Sequence, residues 1–434
     1  MDKKIKKPEL LMPAGSLPVL KVAVNYGADA VYIGGEAFSL RANAHNFSLE
    51  DMKEGIDYAH KASVKVYVTV NILAHNDDLK EAEKYFKELK ELRPDALIIS
   101  DPGIFMLARR IVPEIDIHIS TQANNTNYAS FKFWYDLKAS RVVSARELSL
   151  REIKELRDNI PEDMEIESFV HGAMCISYSG RCLLSAYMTG RSGNMGDCTH
   201  PCRWKYKLLE SCDDSFSEDM SPVAIEEDTR PGQYMPVYEN ERGTYIFNSK
   251  DLCMIEHIPE MIEAGIDSFK VEGRMKSALY VASVARTYRM AIDDYFKDPE
   301  IYRSRLEFYR QEISKCTYRE YTTAFFFGKP SEESQIYDAN TYIKEWIYLG
   351  IIDENKKYEA DNGHIYYQLE QKNKFCVSDT VEVMKTDGRN IEAKVTDMLD
   401  EELKHIDSCP HPLQKFYVDL GLELDSFDII RCRK

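Results

Sequence analysis

Short apolar runs alternate with helical segments over most of the chain, and this alternation limits the folds that the chain can adopt. Segments with helical periodicity, such as Asp78–Leu92 and Leu279–Phe296, separate or follow the apolar runs. Eight runs have the length and β-branched content typical of strands, namely Glu9–Met12, Ala30–Gly35, Lys65–Ile72, Ala96–Ser100, Ile115–Thr121, Arg141–Glu147, Met164–Gly172 and Ser268–Arg274. Eight strand-then-helix units favour a closed parallel barrel over an open sheet. The sequence therefore predicts an α/β fold, a (β/α)8 TIM-like barrel over residues 1–316.

Local signals predict where several of the helices begin. Ser16 is expected to cap a helix that stops at Gly27. Ser48 with Asp51, and Ser149 with Glu152, have the spacing of a capping box at a helix start. A further helix is predicted over residues 250–264, before the last barrel strand.

The C-terminal part has a different pattern. After a predicted linker over residues 317–341, residues 342–434 contain only short strand-like runs, with a turn signal at Asp387-Gly388. The predicted strands are Trp346–Ile352, Ile365–Glu370, Thr380–Met384, Glu392–Met398 and Lys415–Val418. Their spacing predicts a small C-terminal β-barrel domain.

A glycine-rich insertion after predicted strand seven, at about residues 173–245, contains four cysteines. Cys175, Cys182, Cys198 and Cys202 follow the spacing C-x6-C-x15-C-x3-C. Glycines allow such a loop to fold back and bring separated thiols together, and four thiolates suit either a structural zinc or an iron–sulfur cluster. The irregular spacing favours a [4Fe–4S] cluster, with zinc as the alternative. Cys253 is a reserve candidate for the fourth ligand.

Composition excludes some classes of protein. The formal net charge of −17 argues against broad, nonspecific nucleic-acid binding, which depends on neutralising phosphates. A local basic face could still hold RNA. No apolar run approaches the roughly 18 residues of a membrane span, and the start, MDKKIKKPELLMP, has no apolar signal region. We therefore expect a cytoplasmic protein with reduced cysteines and no membrane contact.

Polar residues gather where the predicted barrel strands end, which is where active sites of eight-fold barrels lie. Asn71 lies at the end of strand three, Gln122 follows strand five and His171 lies at the end of strand seven. Lys270 and Glu272 lie in strand eight. We predict a shared pocket there, with His171, Glu272 and Lys270 as catalytic candidates and with Asn71 and Gln122 as substrate-binding candidates.

Several stretches resemble peptidase family U32, the collagenase-like protease family. The resemblance is carried by ESFVHGAMC at 167–175, SGRCLLS at 179–185, GDCTHPCRWKY at 196–206, FKVEGRMKS at 269–277 and the region 8–35. Several members of this family are oxygen-independent hydroxylases that use a [4Fe–4S] cluster and prephenate as hydroxyl donor. The resemblance is strongest to the branch that hydroxylates tRNA uridine. It implies tRNA and prephenate as partners, and it allows a homologous partner subunit.

The resemblance implies prephenate-dependent formation of 5-hydroxyuridine in a tRNA anticodon. Prephenate is a dicarboxylate, and planar arginine side chains bind carboxylates with two parallel hydrogen bonds. Arg41, Arg146 and Arg274 are therefore predicted to bind substrate. Two alternatives remain, a U32-type peptidase and a zinc-stabilised RNA-binding protein. The chain contains neither G-x-S-x-G nor H-E-x-x-H, but Cys175 near His171 could serve a Cys–His peptidase.

Overall fold

The computed structural model describes most of the chain and divides it into two compact units. The first unit comprises residues 1–17, 30–275 and 319–343, and the second comprises residues 18–29, 276–318 and 344–434. The described residues are 6–36, 46–72, 74–174, 185, 189, 199, 224–226, 234–236, 238–240, 243–245, 249–328, 342–361 and 363–434.

Parallel strands dominate the first unit. Its strands, in chain order, are β1 Glu9–Pro13, β2 Ala30–Gly34, β3 Lys65–Val70, β4 Ala96–Ile99, β5 Asp116–Ile119, β6 Arg141–Val143, β7 Glu165–Ala173, β8 Ala224–Glu226, β9 Tyr234–Pro236, β10 Tyr238–Asn240, β11 Gly243–Tyr245, β12 Asp251–Cys253, β13 Ser268–Val271 and β14 Tyr321–Thr322. Strands β1 to β7 pair in sequence order, all parallel. The ring closes because β13 pairs in parallel with both β1 and β7. This closed eight-stranded ring confirms the predicted TIM-like barrel.

Helices follow the barrel strands as the alternation predicted. They are α1 Leu17–Asn25, α2 Leu49–Lys61, α3 Asp78–Leu92, α4 Pro102–Ile111, α5 Tyr128–Asp136, α6 Leu150–Asn159 and α7 Ile258–Glu263. The Ser48 side chain accepts a hydrogen bond from the backbone N–H of Asp51. Ser149 and Glu152 form the complete capping box. Both predicted helix starts are therefore confirmed, and each helix buries one apolar face in the usual amphipathic manner.

The predicted helix over residues 250–264 is wrong in its first half. Residues 251–253 form β12, which pairs antiparallel with β7, and α7 begins only at Ile258. Asp251 is drawn into an extended conformation by backbone pairing and by a buried ion pair with Arg319. These contacts are distant in sequence, and they override the local helical pattern. Pro259, in the first turn, suits the later helix start.

The second unit combines helices with a seven-stranded antiparallel sheet. Its helices are α8 Ala278–Lys297, α9 Pro299–Ser304 and α10 Leu306–Ile313. Its strands are β15 Trp346–Glu359, β16 Ile365–Gln371, β17 Thr380–Met384, β18 Asn390–Lys394, β19 Asp397–Leu399, β20 Lys415–Asp419 and β21 Ile429–Arg433. They lie in the order β18-β17-β21-β15-β16-β20-β19 around an apolar core that includes Leu369, Val383 and Phe416.

The C-terminal sheet is a half-barrel, and its details refine the predicted β-barrel. The single strand predicted at Glu392–Met398 is two strands, because β18 pairs with β17 whereas β19 pairs with β20. Gly388, in the predicted turn, has a φ of +97°, which favours glycine. Within the predicted linker 317–341, residues 321–322 form β14, which pairs with β12. Residues 329–341 lie outside the described part.

A buried ionic network joins the helices of the second unit to its sheet. Glu312 of α10 accepts hydrogen bonds from Arg286 of α8, at 2.6 Å, and from Arg431 of β21, at 3.0 Å. Arg431 also contacts Glu382 of β17 at 2.6 Å. Burial alone would raise the pKa of Glu312, but the nearby cations outweigh it and lower that pKa to about 2. This buried ionic network therefore links helices α8 and α10 to the sheet of the second unit.

Candidate functional site

The interior of the barrel contains a charged network centred on Arg141. The guanidinium of Arg141 contacts Glu9 at 2.6 Å, Glu165 at 2.6 Å and Glu167 at 3.0 Å. Glu167 also accepts a 2.6 Å hydrogen bond from the ammonium of Lys270. Four barrel strands, β1, β6, β7 and β13, supply these side chains. Buried charges require such pairing, because an isolated buried charge is strongly unfavourable.

The charges of this network fix the protonation of its members. Burial on its own would raise the pKa of Glu9, but the charge and hydrogen bonds of Arg141 outweigh it, so the pKa lies below its ordinary value. The Tyr67 hydroxyl donates to Glu9 at 2.7 Å, and burial together with that carboxylate raises the pKa of Tyr67. Glu9 is thus ionised and Tyr67 is a neutral donor at physiological pH.

His118 of β5 lies beside this network as a neutral ring. It is 4% exposed, and its ring centroid is 4.6 Å from that of Tyr67. Burial lowers the pKa of His118 well below 6.5, and the positive charges of Arg141 and Lys270 lower it further. A histidine in this position does not change its charge near neutral pH.

An aromatic layer covers the inner network towards the carboxyl ends of the strands. The Phe169 ring lies 3.9 Å from the guanidinium carbon of Arg146 and 5.4 Å from the ammonium of Lys270. Lys270 also lies 4.6 Å from the Tyr32 ring centroid. Cations over aromatic faces are favourable when they are desolvated. The ammonium of Lys270, a predicted catalytic residue, is therefore held by the Glu167 carboxylate and by the Tyr32 and Phe169 rings.

Arg146, Glu272 and His171 come together where β6, β7 and β13 end. Arg146 donates to the Ala173 carbonyl oxygen at 2.7 Å and to the Glu272 carboxylate at 3.3 Å. The backbone N–H of Glu272 donates to the His171 carbonyl oxygen at 2.8 Å. His171 is 1% exposed. Three of the residues predicted for the site thus lie close together, at the end of the barrel where the prediction placed them.

Arg274 approaches the same end of the barrel from the loop after β13. Its guanidinium donates to the Thr69 hydroxyl at 2.8 Å, and that hydroxyl donates to the Ile33 carbonyl at 3.0 Å. The backbone of Arg274 packs directly against Gly15, where a Cβ would come within 1.9 Å of the Arg274 carbonyl oxygen. Gly15 is therefore required for the observed path of the loop that carries Arg274.

Three polar atoms at this end are buried and have no hydrogen-bond partner among the described residues. They are Oδ1 of Asn71, Oε1 of Gln122 and Nε of Arg146. A buried polar group without a partner costs free energy, so such groups usually face a ligand or an ordered water. Two acceptors and one donor at the strand ends are consistent with a polar small molecule.

Five of the predicted site residues lie outside the described part of the chain. They are Arg41, Cys175, Cys182, Cys198 and Cys202. The described residues contain no group of three or more His, Cys, Asp or Glu side chains that could hold a metal ion. Cys253, the reserve ligand, is half-buried on β12, opposite His171 in the β-pairing. No helix in the described ranges is long and apolar enough to cross a membrane.

The sequence interpretation missed several residues that build this site. Glu9, Arg141 and Glu167 were assigned only to strands, although charged residues within otherwise apolar strands signal a polar barrel interior. Thr69 was missed because threonine is ordinary in a strand. Arg319 was missed because its partner, Asp251, is distant in the sequence.

Comparisons with known proteins agree with this architecture. A family model described as peptidase family U32 matches residues 15–336, and one described as its C-terminal domain matches residues 344–431. The chain belongs to peptidase family U32. The U32 match therefore includes barrel strands β2 to β7 and β13 and the four predicted ligand cysteines. The C-terminal match includes the half-barrel except the last two residues of β21.

Relatives of this U32 chain include proteins named for RNA hydroxylation. The chain is 41% identical to tRNA hydroxylation protein P1 of Bacillus subtilis, over 95% of this chain and 92% of that protein. It is 41% identical to tRNA hydroxylation protein P of Escherichia coli, over 88% of this chain and 87% of that protein. A 23S rRNA 5-hydroxycytidine synthase of Escherichia coli is 33% identical, over 77% of this chain and 47% of that protein.

Proposed function

We propose that this U32 protein is an RNA-modifying enzyme that converts a uridine of a tRNA anticodon to 5-hydroxyuridine. The observation that carries this proposal is the 41% identity, along 95% of the chain, to a tRNA hydroxylation protein. The barrel end supports it, because it gathers cationic, acidic and unsatisfied polar groups at one place. In this proposal prephenate is the hydroxyl donor and molecular oxygen takes no part.

The donor would bind through its carboxylates to the arginines at the barrel end. Arg274 is one candidate, because its guanidinium lies at the barrel end, where it donates to the Thr69 hydroxyl. Arg146 already contacts the Glu272 carboxylate, so a substrate carboxylate would have to share its charge. Nε of Arg146, buried without a described partner, is the donor that such a carboxylate could use. Arg41 completes the proposed set, and Asn71 and Gln122 would accept hydrogen bonds from hydroxyl or amide groups of substrate.

The acid–base work would fall to Glu272 and His171. Replacing C5–H of uridine by C5–OH breaks a C–H bond, releases a proton and oxidises the base by two electrons. The donor is the oxidant: its C–O bond breaks, its hydroxyl group goes to C5, and the donor carbon takes up two electrons and a proton. Glu272 is positioned beside Arg146 and next to the His171 backbone, so it can accept that proton. Lys270, the third proposed catalytic residue, would act from below the Phe169 ring through its positive charge.

The proposed cofactor is a [4Fe–4S] cluster held by Cys175, Cys182, Cys198 and Cys202. When bound, such a cluster would supply electron transfer or a Lewis-acidic iron. Met174, which follows β7, is the last described residue before this segment and directly precedes Cys175 in the sequence. A single zinc ion remains the alternative for these thiolates.

Peptidase activity is the second candidate, because the matching family model is named for it. A Cys–His peptidase would use Cys175 with His171. His171 is 1% exposed and pairs with Cys253 of β12 in the sheet, which is a poor position for contact with an extended peptide. A peptidase should cleave denatured collagen or casein in the absence of any RNA, and this assay separates the two candidates.

A reconstituted reaction tests the proposed function directly. The protein, reconstituted anaerobically with iron and sulfide, is incubated with prephenate and tRNA that lacks the modification. Nucleoside mass spectrometry is expected to find 5-hydroxyuridine only when both protein and prephenate are present. Its formation without prephenate, or only with oxygen, would contradict the proposed donor. The absence of product together with peptide cleavage would favour the peptidase.

A further inference from the structure

The carboxyl end of β7 has a neighbour that does not belong to the barrel ring. Pairing between β6 and β7 ends with Val143 opposite Glu167. Beyond that point β12 pairs antiparallel with β7, with Asp251 opposite Ala173 and Leu252 opposite Gly172. The chain therefore leaves the barrel just after Ala173 and returns to it at Asp251, and these two points lie side by side.

A buried ion pair fixes β12 in this place. Arg319 donates to Oδ1 of Asp251 through Nε at 3.0 Å and through its terminal nitrogen at 2.5 Å. The backbone N–H of Arg319 donates to Oδ2 of Asp251 at 3.2 Å. Both side chains are 2% exposed. Strand β14 then continues in parallel with β12, with Tyr321 opposite Asp251.

The same strands contact residues at the barrel end. The Tyr321 ring centroid lies 5.4 Å from that of His171. Ala173, paired with Asp251, is the residue whose carbonyl oxygen accepts from Arg146. A shift of β12 and β14 would therefore be transmitted to both His171 and Arg146.

The barrel does not need these two strands to close. Strands β6, β7 and β13 already complete the ring. A buried ion pair also adds little net stability compared with an apolar pair of similar volume, because both charges lose their hydration. A buried pair can instead specify one register, since a wrong register leaves both charges unpaired.

We propose that Asp251 and Arg319 are positioning residues for the barrel end. Their ion pair locks β12 in register against β7. The lock fixes the positions of His171 and of the Ala173 carbonyl oxygen, which accepts from Arg146. It also fixes the two points at which the cysteine-containing segment joins the barrel. This inference deepens the proposed function, but the register lock itself requires neither metal nor RNA. The residues act through others and touch no reacting atom.

The register lock is tested with Asp251→Asn and Arg319→Met in the full-length protein. Each change removes the charge pairing and retains most of the side-chain volume. Hydrogen exchange measured by mass spectrometry is expected to be about tenfold faster at Leu252 to Met254 and at Val170 to Ala173, because a local opening becomes easier. If a variant does not fold, Arg319→Lys retains the charge, loses the two-pronged contact and is expected to show a smaller increase at the same amides.

Arg157→Met is the matched control. It removes another, less buried arginine–aspartate contact in the same unit, to Asp267 at 3.1 Å. Its exchange at the two segments is expected to match that of the wild type, whatever its effect on global unfolding in urea. Wild-type exchange in Asp251→Asn, or an equal increase in Arg157→Met, would overturn the register lock.

A second measurement connects the lock to the proposed cofactor. In the reconstituted protein, the visible chromophore is expected to bleach about tenfold faster under an iron chelator in Asp251→Asn than in Arg157→Met. Equal bleaching rates would contradict the link to the cysteine segment. A wild-type protein without any chromophore would refute the proposed cluster, and the exchange experiment would still decide the register lock.

Discussion

At the scale of single residues, the position of the Arg274 guanidinium at the barrel end depends on its contacts with Thr69 and Gly15. Arg274 is buried at 6% exposure and hydrogen-bonded to Thr69. Gly15 supports the backbone of the same loop. Single substitutions at Arg274 and Gly15 therefore test the substrate-binding role proposed for this barrel end.

Arg274→Lys is expected to lower kcat/KM for tRNA hydroxylation by roughly ten- to a hundredfold. Lysine keeps the charge but cannot form the two parallel hydrogen bonds, each worth about 1.5–3 kcal/mol to a charged group. Steady-state kinetics with varied prephenate provide the measurement, and Arg110→Lys, at an exposed position of α4, is the control. Unchanged kinetics in Arg274→Lys would remove this residue from the donor site.

Gly15→Ala is expected to impair the same reaction without touching substrate. The new methyl group would meet the Arg274 carbonyl oxygen at 1.9 Å, so the loop must move and carry the guanidinium with it. A higher KM for prephenate together with retained global folding is the expected result. Wild-type kinetics would show that the loop relaxes without displacing Arg274.

His118→Gln is expected to flatten the dependence of stability on pH between about 6.5 and 5. The pKa of His118 is lowered well below 6.5 by burial in the folded state, so only the unfolded chain takes up this proton as the pH falls. Stability is therefore lost on acidification, by up to about 1.4 kcal/mol per pH unit. Urea unfolding at several pH values measures the slope, and equal slopes in wild type and variant would contradict the assignment.

At the scale of elements, the eight barrel strands were predictable because the sequence alternates locally. Strand β12 was not predictable, because its pairing with β7 and the contact between Asp251 and Arg319 join distant parts of the chain. The barrel-end positions of Arg146 and Glu272 followed from the strand ends. The partners Thr69 and Gly15 did not, since nothing in their local sequence marks a contact with Arg274.

Glu312→Gln is expected to destabilise the second unit by about 3–5 kcal/mol, because Arg286 and Arg431 would lose the buried carboxylate between them. The pKa of Glu312 is about 2, below its ordinary value of 4.5, so this stabilisation is present above pH 4.5 and is lost as the pH falls towards 2. Urea unfolding at pH 7 is the measurement. Glu307→Gln, on the exposed face of the same helix, should change stability by less than about 0.5 kcal/mol. Similar effects of the two substitutions would contradict the role of the network.

At the scale of the whole molecule, the chain belongs to one family along nearly its full length, with a closed barrel and a C-terminal half-barrel. The sequence motifs were sufficient to recognise that family. They could not reveal the charged barrel interior, because Arg141, Glu9 and Glu167 meet only when the ring closes. The four cysteines and Arg41 lie outside the described residues.

The central claim is that this protein hydroxylates tRNA uridine, and nucleoside mass spectrometry of cellular tRNA tests it most directly. Cells that lack the gene are complemented with the wild type, with Cys175→Ala or with Arg110→Lys, and are grown without oxygen. The account predicts that 5-hydroxyuridine and its derivatives disappear in the deletion strain and in Cys175→Ala, and return with the wild type and Arg110→Lys. Unchanged levels in the deletion strain, in an organism with no second copy of the gene, would contradict the account.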